Sequence, residues 1–333
     1  MKTLIIAEAG VNHNGDMNLA KQLIDVAATA GADLVKFQTF SAQDLVIRSV
    51  PKANYQIEAN NKNESQYEML RNLELTEEMH LELIAYSQSK NIEFFSTGFD
   101  IKSLEMLIRL GQNKFKIPSG EITNIPLLRF VGKQNKQVII STGMSDMDEI
   151  AQAITVLKEA GTHKDKITIL HCTSAYPAPY NEINLRALLS IKESFGTSVG
   201  YSDHSSGIEV AIAAVSLGAC VIEKHFTLDK ALRGPDHKAS LDPMELKKMI
   251  AAIRNIELAL GDGVKQLMPC EIDNQNVVRK YLVAKTAIKK DEVLSVRNLT
   301  TKRTGYGISA SKWDQFIGKK SSRDYSVDEI IDL

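Results

Sequence analysis

Two histidines stand at the ends of consecutive short apolar runs, in the segments SDH and EKHF. They are His204 and His225, and the runs are typical of buried strands. Neighbouring strands lie about 5 Å apart, so two such imidazoles could share one divalent ion. Two protein ligands leave coordination positions for water and substrate, as a Lewis-acid site requires. The residues therefore predict a metal site, with two hydrogen-bonded structural histidines as the alternative.

Two further histidines are weaker candidates for chemistry. His13 lies in EAGVNHNG, where helping the site and capping the loop are both open interpretations. His171 lies inside an apolar run, so we predict a core histidine there.

Two lysines lie inside apolar runs, at Lys36 and Lys116. Burying a lysine without an anion is strongly unfavourable, so each position predicts a negative partner. Hydroxyl side chains that end other runs would add neutral donors: Thr97, Ser119, Ser141, Ser174 and Ser202. Lysines and hydroxyls together predict a cradle for phosphate and carboxylate groups. Pairing of the lysines with Glu8 or Glu121 is the alternative, and both interpretations can hold at once.

Acidic and basic residues outside this cradle complete the set of candidates. Glu8 and Glu121 lie at strand ends and are predicted to act as general acid or base, with structural ion pairing as the competing interpretation. Asp236, in RGPDHKAS, could hold a sugar hydroxyl or form a simple turn. Arg303 precedes two glycines in KRTGYGIS, a loop composition that fits a substrate contact.

The elements that must position these residues alternate regularly along the chain. The apolar runs are Thr3–Gly10, Ala32–Gln38, Ile92–Thr97, Lys114–Glu121, Gln137–Gly143, Ile167–Ser174, Ser198–His204 and Cys220–Phe226. Helical spacing of apolar residues marks Met17–Ala30, Thr76–Ser89, Ile101–Leu110, Asp146–Ala160, Leu185–Ser194, Gly207–Leu217 and Asp242–Leu260. This alternation predicts parallel strands, and eight of them favour a closed (β/α)8 TIM barrel with its site at the strands' carboxyl ends.

Two regions depart from the alternation. Ser41–Asn72 is a polar insertion after the second strand, and we expect it to fold over the mouth of the barrel. After Gly263 the chain becomes polar and then forms short strand-like pieces. We therefore predict a barrel over residues 1–262, a linker over 263–280 and a small second domain over 281–333.

Composition limits the classes of protein that the chain can represent. A hydrophobic content of 44% allows a large core, and a net charge of −1 gives no reason to expect a nucleic-acid partner. The three cysteines are odd in number and widely spaced, which favours a reducing cytoplasm and excludes a disulfide framework. No segment has the ~20 apolar residues that would span a membrane.

Nine segments, in this order along the chain, resemble the sialic acid synthase family of N-acetylneuraminate and legionaminic acid synthases. The segments are EAGVNHNG, VKFQTF, FKIPSGE, ISTGM, ILHCTSAYPAP, SDHSSG, IEKHFTLDK, GPDHKASL and TKRTGYGIS. The resemblance implies a (β/α)8 barrel followed by an antifreeze-like (SAF) domain, in a domain-swapped homodimer. It also implies condensation of phosphoenolpyruvate with an acylamino sugar and water, with phosphate released by C–O cleavage.

The same resemblance implies a role for individual residues. A divalent metal, Mn²⁺ or Mg²⁺, would bind His204 and His225, and Glu121 would be the favoured acid–base residue with Glu8 close by. Phosphoenolpyruvate would contact Lys36, Thr97, Lys116, Ser119, Ser141, Ser174 and Ser202. The acceptor sugar would contact Gln38, Tyr176 and Asp236, and Arg303 of a partner subunit would reach its N-acetyl group.

Three positions depart from the family pattern. Gly98 and Thr304 each stand where proline is usual, and Ser174 stands where other members have Asn or Thr. The first two departures concern the shape of the turn after the third strand and the mobility of the arginine loop. The third leaves a donor of shorter reach.

The acceptor and the reaction class leave alternatives open. N-acetylmannosamine would give N-acetylneuraminate, whereas a 2,4-diacetamido-2,4,6-trideoxyhexose would give legionaminate or pseudaminate. FKIPSGEITN and GPDHKASL look at least as similar to the legionaminate branch, and we name neuraminate first as the family's broad designation. More remote alternatives are a metal-dependent aldolase or lyase on the same barrel, and a non-catalytic carbohydrate-binding scaffold.

Overall fold

The computed structural model describes residues 2–51 and 65–332. The chain forms two compact units, the first ending at Gly261 and the second beginning at Asp262. The barrel was expected to end one residue later. A short helix, Ile272–Val278, lies within the stretch predicted as a linker.

The first unit contains eight strands that all pair in parallel. They are β1 (Leu4–Gly10), β2 (Leu34–Thr39), β3 (Glu93–Gly98), β4 (Lys114–Ile117), β5 (Gln137–Ser141), β6 (Ile167–Cys172), β7 (Ser198–Asp203) and β8 (Val221–His225). Their order is β3-β2-β1-β8-β7-β6-β5-β4, so the sheet curls until its two edge strands meet. The predicted parallel barrel is confirmed in this nearly closed form.

One seam of the barrel is closed by a side chain. In the described part of the chain, no backbone ladder joins β3 to β4, although the two strands lie against each other. Gln112 bridges them: its Nε2 donates to the Ser96 carbonyl at 3.0 Å, and its Oε1 accepts from the Ser96 N–H at 2.9 Å. The amide group of Gln112 thus makes the pair of hydrogen bonds to Ser96 that the backbone of a neighbouring strand would otherwise make.

Helices connect the strands and cover the outside of the barrel. Those of the first unit are α1 (Met17–Ala30), α2 (Ala42–Leu45), α3 (Gln66–Arg71), α4 (Glu77–Ser89), α5 (Ile101–Arg109), α6 (Ile125–Lys133), α7 (Met147–Ala160), α8 (Ala187–Phe195), α9 (Glu209–Ser216) and α10 (Pro243–Leu260). Seven were predicted from apolar spacing, within three residues at each end. Helix α6 was missed because Pro126 resembles a breaker, whereas it occupies the first turn behind the cap that Asn124 supplies.

The barrel interior is built in layers, because side chains two residues apart point to the same side of a strand. An apolar layer fills its lower part: Ile6, Leu34, Phe95, Ile139, Leu170 and Val221. Two residues further along each of these strands stand Glu8, Lys36, Thr97, Ser141, Cys172 and Glu223. The strand period therefore places a polar layer directly above the apolar floor, on the carboxyl side.

The second unit has its own small core. Strands β9 (Lys280–Ala284) and β10 (Leu299–Arg303) pair antiparallel, and α11 (Ile272–Val278) and α12 (Trp313–Phe316) are short. Leu282, Leu294, Phe316 and Tyr325 belong to its buried cluster.

Two whole-chain features bear on the composition arguments. All three cysteines are free thiols: Cys172 is buried, Cys220 is half-buried and Cys270 is exposed. Within the described ranges, no helix combines the length and the apolar character that a membrane crossing demands.

Candidate active site

A cavity of about 330 Å³ opens at the carboxyl ends of the barrel strands. It gathers residues from distant parts of the chain, and these include every predicted site residue except Glu121 and Arg303. The predicted residues that line it are Glu8, Lys36, Gln38, Thr97, Lys116, Ser119, Ser141, Ser174, Tyr176, Ser202, His204, His225 and Asp236. Its size falls within the range of pockets that bind small metabolites.

Lys36 lies at the centre of a buried charge cluster. Its Nζ is 2.8 Å from Glu8 Oε2 and 3.5 Å from Glu223 Oε2, and it donates to Thr97 Oγ1 at 2.7 Å. Burial disfavours its charge, yet the carboxylates of Glu223 and Glu8 raise the pKa of Lys36 above its ordinary value. Burial likewise raises the pKa of Glu8, against the pull of the Lys36 ammonium. Lys36 therefore stays charged, and Glu8 is the carboxyl that takes up a proton more readily.

Lys116 forms the second cationic point, on the other side of the same carboxylate. It donates to Ser141 Oγ at 2.7 Å, and its Nζ lies 3.4 Å from Glu223 Oε1. Ser202 donates to that oxygen at 2.8 Å. Burial lowers the pKa of Lys116. An incoming anion would replace lost hydration and favour the charged ammonium.

Glu223 was not proposed from the sequence, although it joins both lysines. Burial alone would raise its pKa, but the ammonium groups of Lys116 and Lys36 outweigh burial and hold the pKa well below the ordinary range. A signal was available, because Glu223 precedes His225 by two residues and so shares its side of β8. Lys224, between them, points the other way and pairs with Asp203 at 2.8 Å in a fully buried ion pair.

The two predicted metal ligands lie together. The ring centroids of His204 and His225 are 5.5 Å apart. His204 Nδ1 donates to the Thr173 carbonyl at 2.8 Å, so the predicted metal contact of this ring falls on Nε2. Among the described residues, no hydrogen-bond partner reaches the buried His225 Nδ1, and Asp236 Oδ2 lies 3.8 Å from it. Burial and the neighbouring His204 lower the pKa of His225 well below its usual value, so its imidazole is neutral.

These residues fit a divalent ion, because His225 has a buried ring nitrogen without a hydrogen-bond partner among the described residues and its ring lies 5.5 Å from that of His204, centroid to centroid. No cluster of three or more His, Cys, Asp or Glu suited to a metal occurs in the described stretches. Metal binding by His204 and His225 therefore stays a prediction that rests on two protein ligands, with the other coordination positions left for water and substrate.

Three residues predicted to contact a sugar surround the imidazoles. The ring of Tyr176 lies 4.1 Å from that of His204, centroid to centroid. Gln38 Nε2 donates to Glu8 Oε1 at 3.4 Å. Burial raises the pKa of Asp236 to about 6, so its carboxyl titrates close to neutrality. Tyr176 and Asp236 follow β6 and β8, whereas Gln38 lies on β2.

Four apolar side chains line the cavity near the ends of β2 and β3, where Gln38 is also present. Met69, Leu70 and Leu73 line the cavity from the end of the insertion, and Phe99 joins them from the turn after β3. These residues pack with Val11 and Phe40 in a cluster separate from the main core. We call Met69, Leu70, Leu73 and Phe99 the apolar wall. The expectation that the insertion covers the mouth falls partly on residues 52–64, which lie outside the described residues.

Two predicted residues lie elsewhere. The half-buried Glu121 accepts a hydrogen bond from Asn124 Nδ2 at 2.6 Å and is not among the cavity-lining residues. Its acid–base role stays a prediction. Arg303 ends β10 in the second unit, where it is exposed. Its contact with a sugar also stays a prediction.

The other two histidines serve structure. His13 is fully buried, and its Nδ1 accepts from the Gly15 N–H at 3.0 Å, which is the loop-capping role. His171 Nε2 donates to the Ile183 carbonyl at 2.7 Å and does not line the cavity.

The burial of His13 makes a prediction about acid stability. Burial, with His80 and His237 nearby, lowers its pKa to about 4, whereas an unfolded histidine titrates near 6.5. The folded state therefore holds fewer protons between these values, so its stability is full above pH 6.5 and falls toward pH 4. The free energy of unfolding, measured with urea between pH 4 and pH 6.5, should depend on pH less steeply in the His13→Asn variant. The difference from the wild type should correspond to about one proton. The exposed His163→Asn variant is the control, and equal slopes in both variants would contradict the assignment.

The departures from the family pattern have local explanations. At Gly98 an added Cβ would lie 2.7 Å from Leu104 Cδ2, so the leucine of α5 occupies the space of a side chain. Thr304 Oγ1 donates to the Tyr306 carbonyl, and this hydrogen bond closes the arginine loop.

A parallel barrel whose carboxyl end gathers paired lysines, buried carboxylates and two facing imidazoles defines an enzyme site for an anionic substrate. Comparison with known proteins gives the family. Residues 23–265 match the NeuB family. The chain belongs to this family, which confirms the sialic acid synthase resemblance.

Individual relatives match over most of their length. The chain is 54% identical to an N,N'-diacetyllegionaminic acid synthase of Campylobacter jejuni over 330 residues, covering 99% of each chain. It is 37% identical to the human N-acetylneuraminate-9-phosphate synthase over 299 residues, covering 90% of this chain and 82% of that one. The crystal structure of N-acetylneuraminic acid synthetase from Leptospira borgpetersenii in complex with citrate is 36% identical, with a TM-score of 0.72. That match covers 84% of this chain and 93% of the other.

Proposed function

We propose that this protein is a nonulosonic acid synthase that condenses phosphoenolpyruvate with an acylamino sugar and water. The observation that carries the proposal is the convergence of Lys36, Lys116, His204 and His225 on one cavity. Phosphoenolpyruvate has both phosphate and carboxylate groups, which two buried ammonium groups and a ring of hydroxyls would bind.

His204 and His225 would hold the divalent ion, Mn²⁺ or Mg²⁺. When bound, the ion supplies Lewis-acid polarisation of the sugar's carbonyl oxygen. Tyr176, packed on the His204 ring, would restrict where the sugar can lie.

The chain's own groups account for the remaining requirements. Lys36 and Lys116 would orient phosphoenolpyruvate so that its methylene carbon faces the aldehyde carbon, and a C–C bond forms between them. Water adds to the former enol carbon, and Glu8 is suited to accept its proton because burial raises the pKa of that carboxyl. The aldehyde oxygen takes up one proton and becomes a hydroxyl, which balances the proton that water loses. The hemiketal phosphate then breaks its C–O bond and releases phosphate. Glu121 remains the second predicted acid–base residue.

Two acceptors stay in competition. The name of the Campylobacter jejuni relative favours a 2,4-diacetamido-2,4,6-trideoxyhexose, and that of the human relative favours an N-acetylmannosamine-type sugar. Phosphate release from phosphoenolpyruvate with each acceptor, compared by kcat/KM, tests the proposal and separates the two. Release of no phosphate with any acylamino sugar, in the presence of Mn²⁺ or Mg²⁺, would refute it. Pyruvate exchange without phosphate release would favour the aldolase or lyase alternative.

The second unit is proposed to contribute a residue to the active site of a partner subunit. TKRTGYGIS supports an antifreeze-like domain that contributes Arg303 to the partner subunit's site in a domain-swapped homodimer. Mixing an Arg303→Ala variant with a Lys116→Met variant would then restore activity in hybrid dimers. We also propose cytoplasmic location, which the free cysteines support.

A glycine in the proposed phosphate cradle gives a specific prediction. Gly143 N–H donates to Ser119 Oγ at 2.9 Å, and an added Cβ would lie 2.0 Å from Ser174 Oγ. We expect Gly143→Ala to displace both hydroxyls and raise the KM for phosphoenolpyruvate about tenfold (roughly 1.4 kcal/mol) with little change in kcat.

The cause can be checked by a double-mutant cycle. If the clash with Ser174 raises KM, adding Gly143→Ala to a Ser174→Gly variant should change KM much less than it does in the wild type. Simple additivity of the two effects would contradict the proposed clash.

A further inference from the structure

We propose that the apolar wall receives the C6 end of the acceptor sugar and selects a 6-deoxy sugar over one with a 6-hydroxyl. The inference rests on the proposed function and adds to it the residues that set acceptor choice. It follows from the placement of polar and apolar residues around the mouth.

The first step is the division of the mouth into two halves. Tyr176, His204, His225 and Asp236 follow β6, β7 and β8, whereas the apolar wall follows β2 and β3. In the strand order β6 and β7 lie across the barrel from β2 and β3, whereas β8 is separated from β2 by β1 alone. A ligand that spans the mouth from β6 and β7 therefore meets hydrogen-bonding groups at one end, and at the other the apolar wall together with the polar Gln38 of β2.

The second step concerns the orientation of the acceptor. Its aldehyde carbon, C1, must lie beside the imidazoles and above the lysines, because the C–C bond forms there. The far end of the open-chain sugar, C6, then points across the mouth. In a 2,4,6-trideoxyhexose C6 is a methyl group, and in N-acetylmannosamine it carries a hydroxyl.

The third step is the chemistry of the wall. Met69 and Leu73 are buried, at 4% and 7% exposure, while Leu70 and Phe99 are half-buried and leave surface for a ligand to cover. When a methyl group binds there, apolar surface of the sugar and of the wall side chains is removed from water. A hydroxyl placed there loses hydration without gaining a donor or acceptor from these four side chains. The wall thus favours the deoxy sugar.

The test uses two acceptors that differ only at C6: 2,4-diacetamido-2,4,6-trideoxymannose and its 6-hydroxy analogue. We expect the wild-type enzyme to prefer the deoxy sugar by about tenfold or more in kcat/KM. The Leu70→Gln variant should lower this preference at least fivefold, while the KM for phosphoenolpyruvate stays within twofold. Phe99→Tyr, which adds one hydroxyl to the same wall, should shift the preference in the same direction.

Two control variants isolate the effect. Leu70→Met keeps the volume and apolar character, so it should keep the preference. Ile47→Gln changes a residue that is 72% exposed and does not line the cavity, and it should also keep it. An unchanged ratio in both Leu70→Gln and Phe99→Tyr, each with a wild-type melting temperature, would overturn the inference. So would a wild-type enzyme indifferent to the C6 group.

Failure of the proposed function would give a different result. Sugar binding can be followed by saturation-transfer NMR of the C6 methyl group without turnover. Saturation of that methyl in the wild type, weakened in Leu70→Gln, would support the wall even if no phosphate were released. Phosphate release with equal use of both sugars would instead support the synthase and refute the wall.

Discussion

Replacing Lys116 by methionine is expected to lower kcat/KM for phosphoenolpyruvate about a thousandfold, roughly 4 kcal/mol. Methionine keeps much of the side-chain volume but removes the ammonium that lies between Ser141 and Glu223. The site then has one buried cation fewer for an anionic substrate, and Glu223 loses one of the two lysines that pair with it in the described part of the chain. Steady-state kinetics at varied phosphoenolpyruvate should show most of the loss in KM.

The same strand provides a matched control. Lys114 lies two residues earlier on β4, at the opposite end of the barrel, where it pairs with Glu93 at 2.8 Å. Lys114→Met removes an identical charge away from the cavity, so activity should stay within about threefold, since partly exposed ion pairs contribute little. Equal losses in the two variants would mean that Lys116 acts through barrel stability instead of substrate binding.

Replacing His225 by alanine is expected to abolish metal-dependent turnover, by at least about a thousandfold, while the fold persists. His225 Nδ1 has no hydrogen-bond partner among the described residues, so its removal breaks no internal bond there. Only one of the two facing imidazoles would remain. Binding of Mn²⁺ to the substrate-free protein, followed by electron paramagnetic resonance, should weaken at least tenfold, with a small change in melting temperature.

Substitution of a second histidine is a control that distinguishes the loss of a metal ligand from a loss of structure. His171 also lies in a barrel strand but donates to the Ile183 carbonyl outside the cavity. His171→Gln can keep that hydrogen bond and should keep both Mn²⁺ binding and turnover. Normal turnover by the His225→Ala variant would refute the metal assignment directly.

Much of the fold could be predicted because its signals are local. Helix α1 spans Met17–Ala30 as its apolar spacing indicated, with Asp16 capping its start. Gly31 ends it at φ 86°, a conformation that glycine adopts without a steric penalty. Helix α6 was missed because a proline in the first turn and a proline that breaks a helix look alike without the cap geometry. The seam at Gln112 depends on how the sheet closes, which no local pattern encodes.

The site residues that lie at the ends of barrel strands could be predicted from the sequence. Period-two alternation places Glu8, Lys36 and Thr97 in one layer, and applying it to β8 would have found Glu223 through His225. The orientation of Glu121 could not be found this way. Its carboxylate bonds to Asn124 three residues later, and such local competition between side chains is not visible in spacing.

The seam between β3 and β4 has a consequence for dynamics. Thr97 and Lys116 lie on its two sides, and the strands that carry them are joined by the Gln112 amide without a shared ladder. An anion that accepts hydrogen bonds from both side chains would link the two edge strands, β3 and β4. Binding of an anion in the polar layer should then slow amide exchange along β3 and β4, so that the substrate itself completes the closure of the barrel.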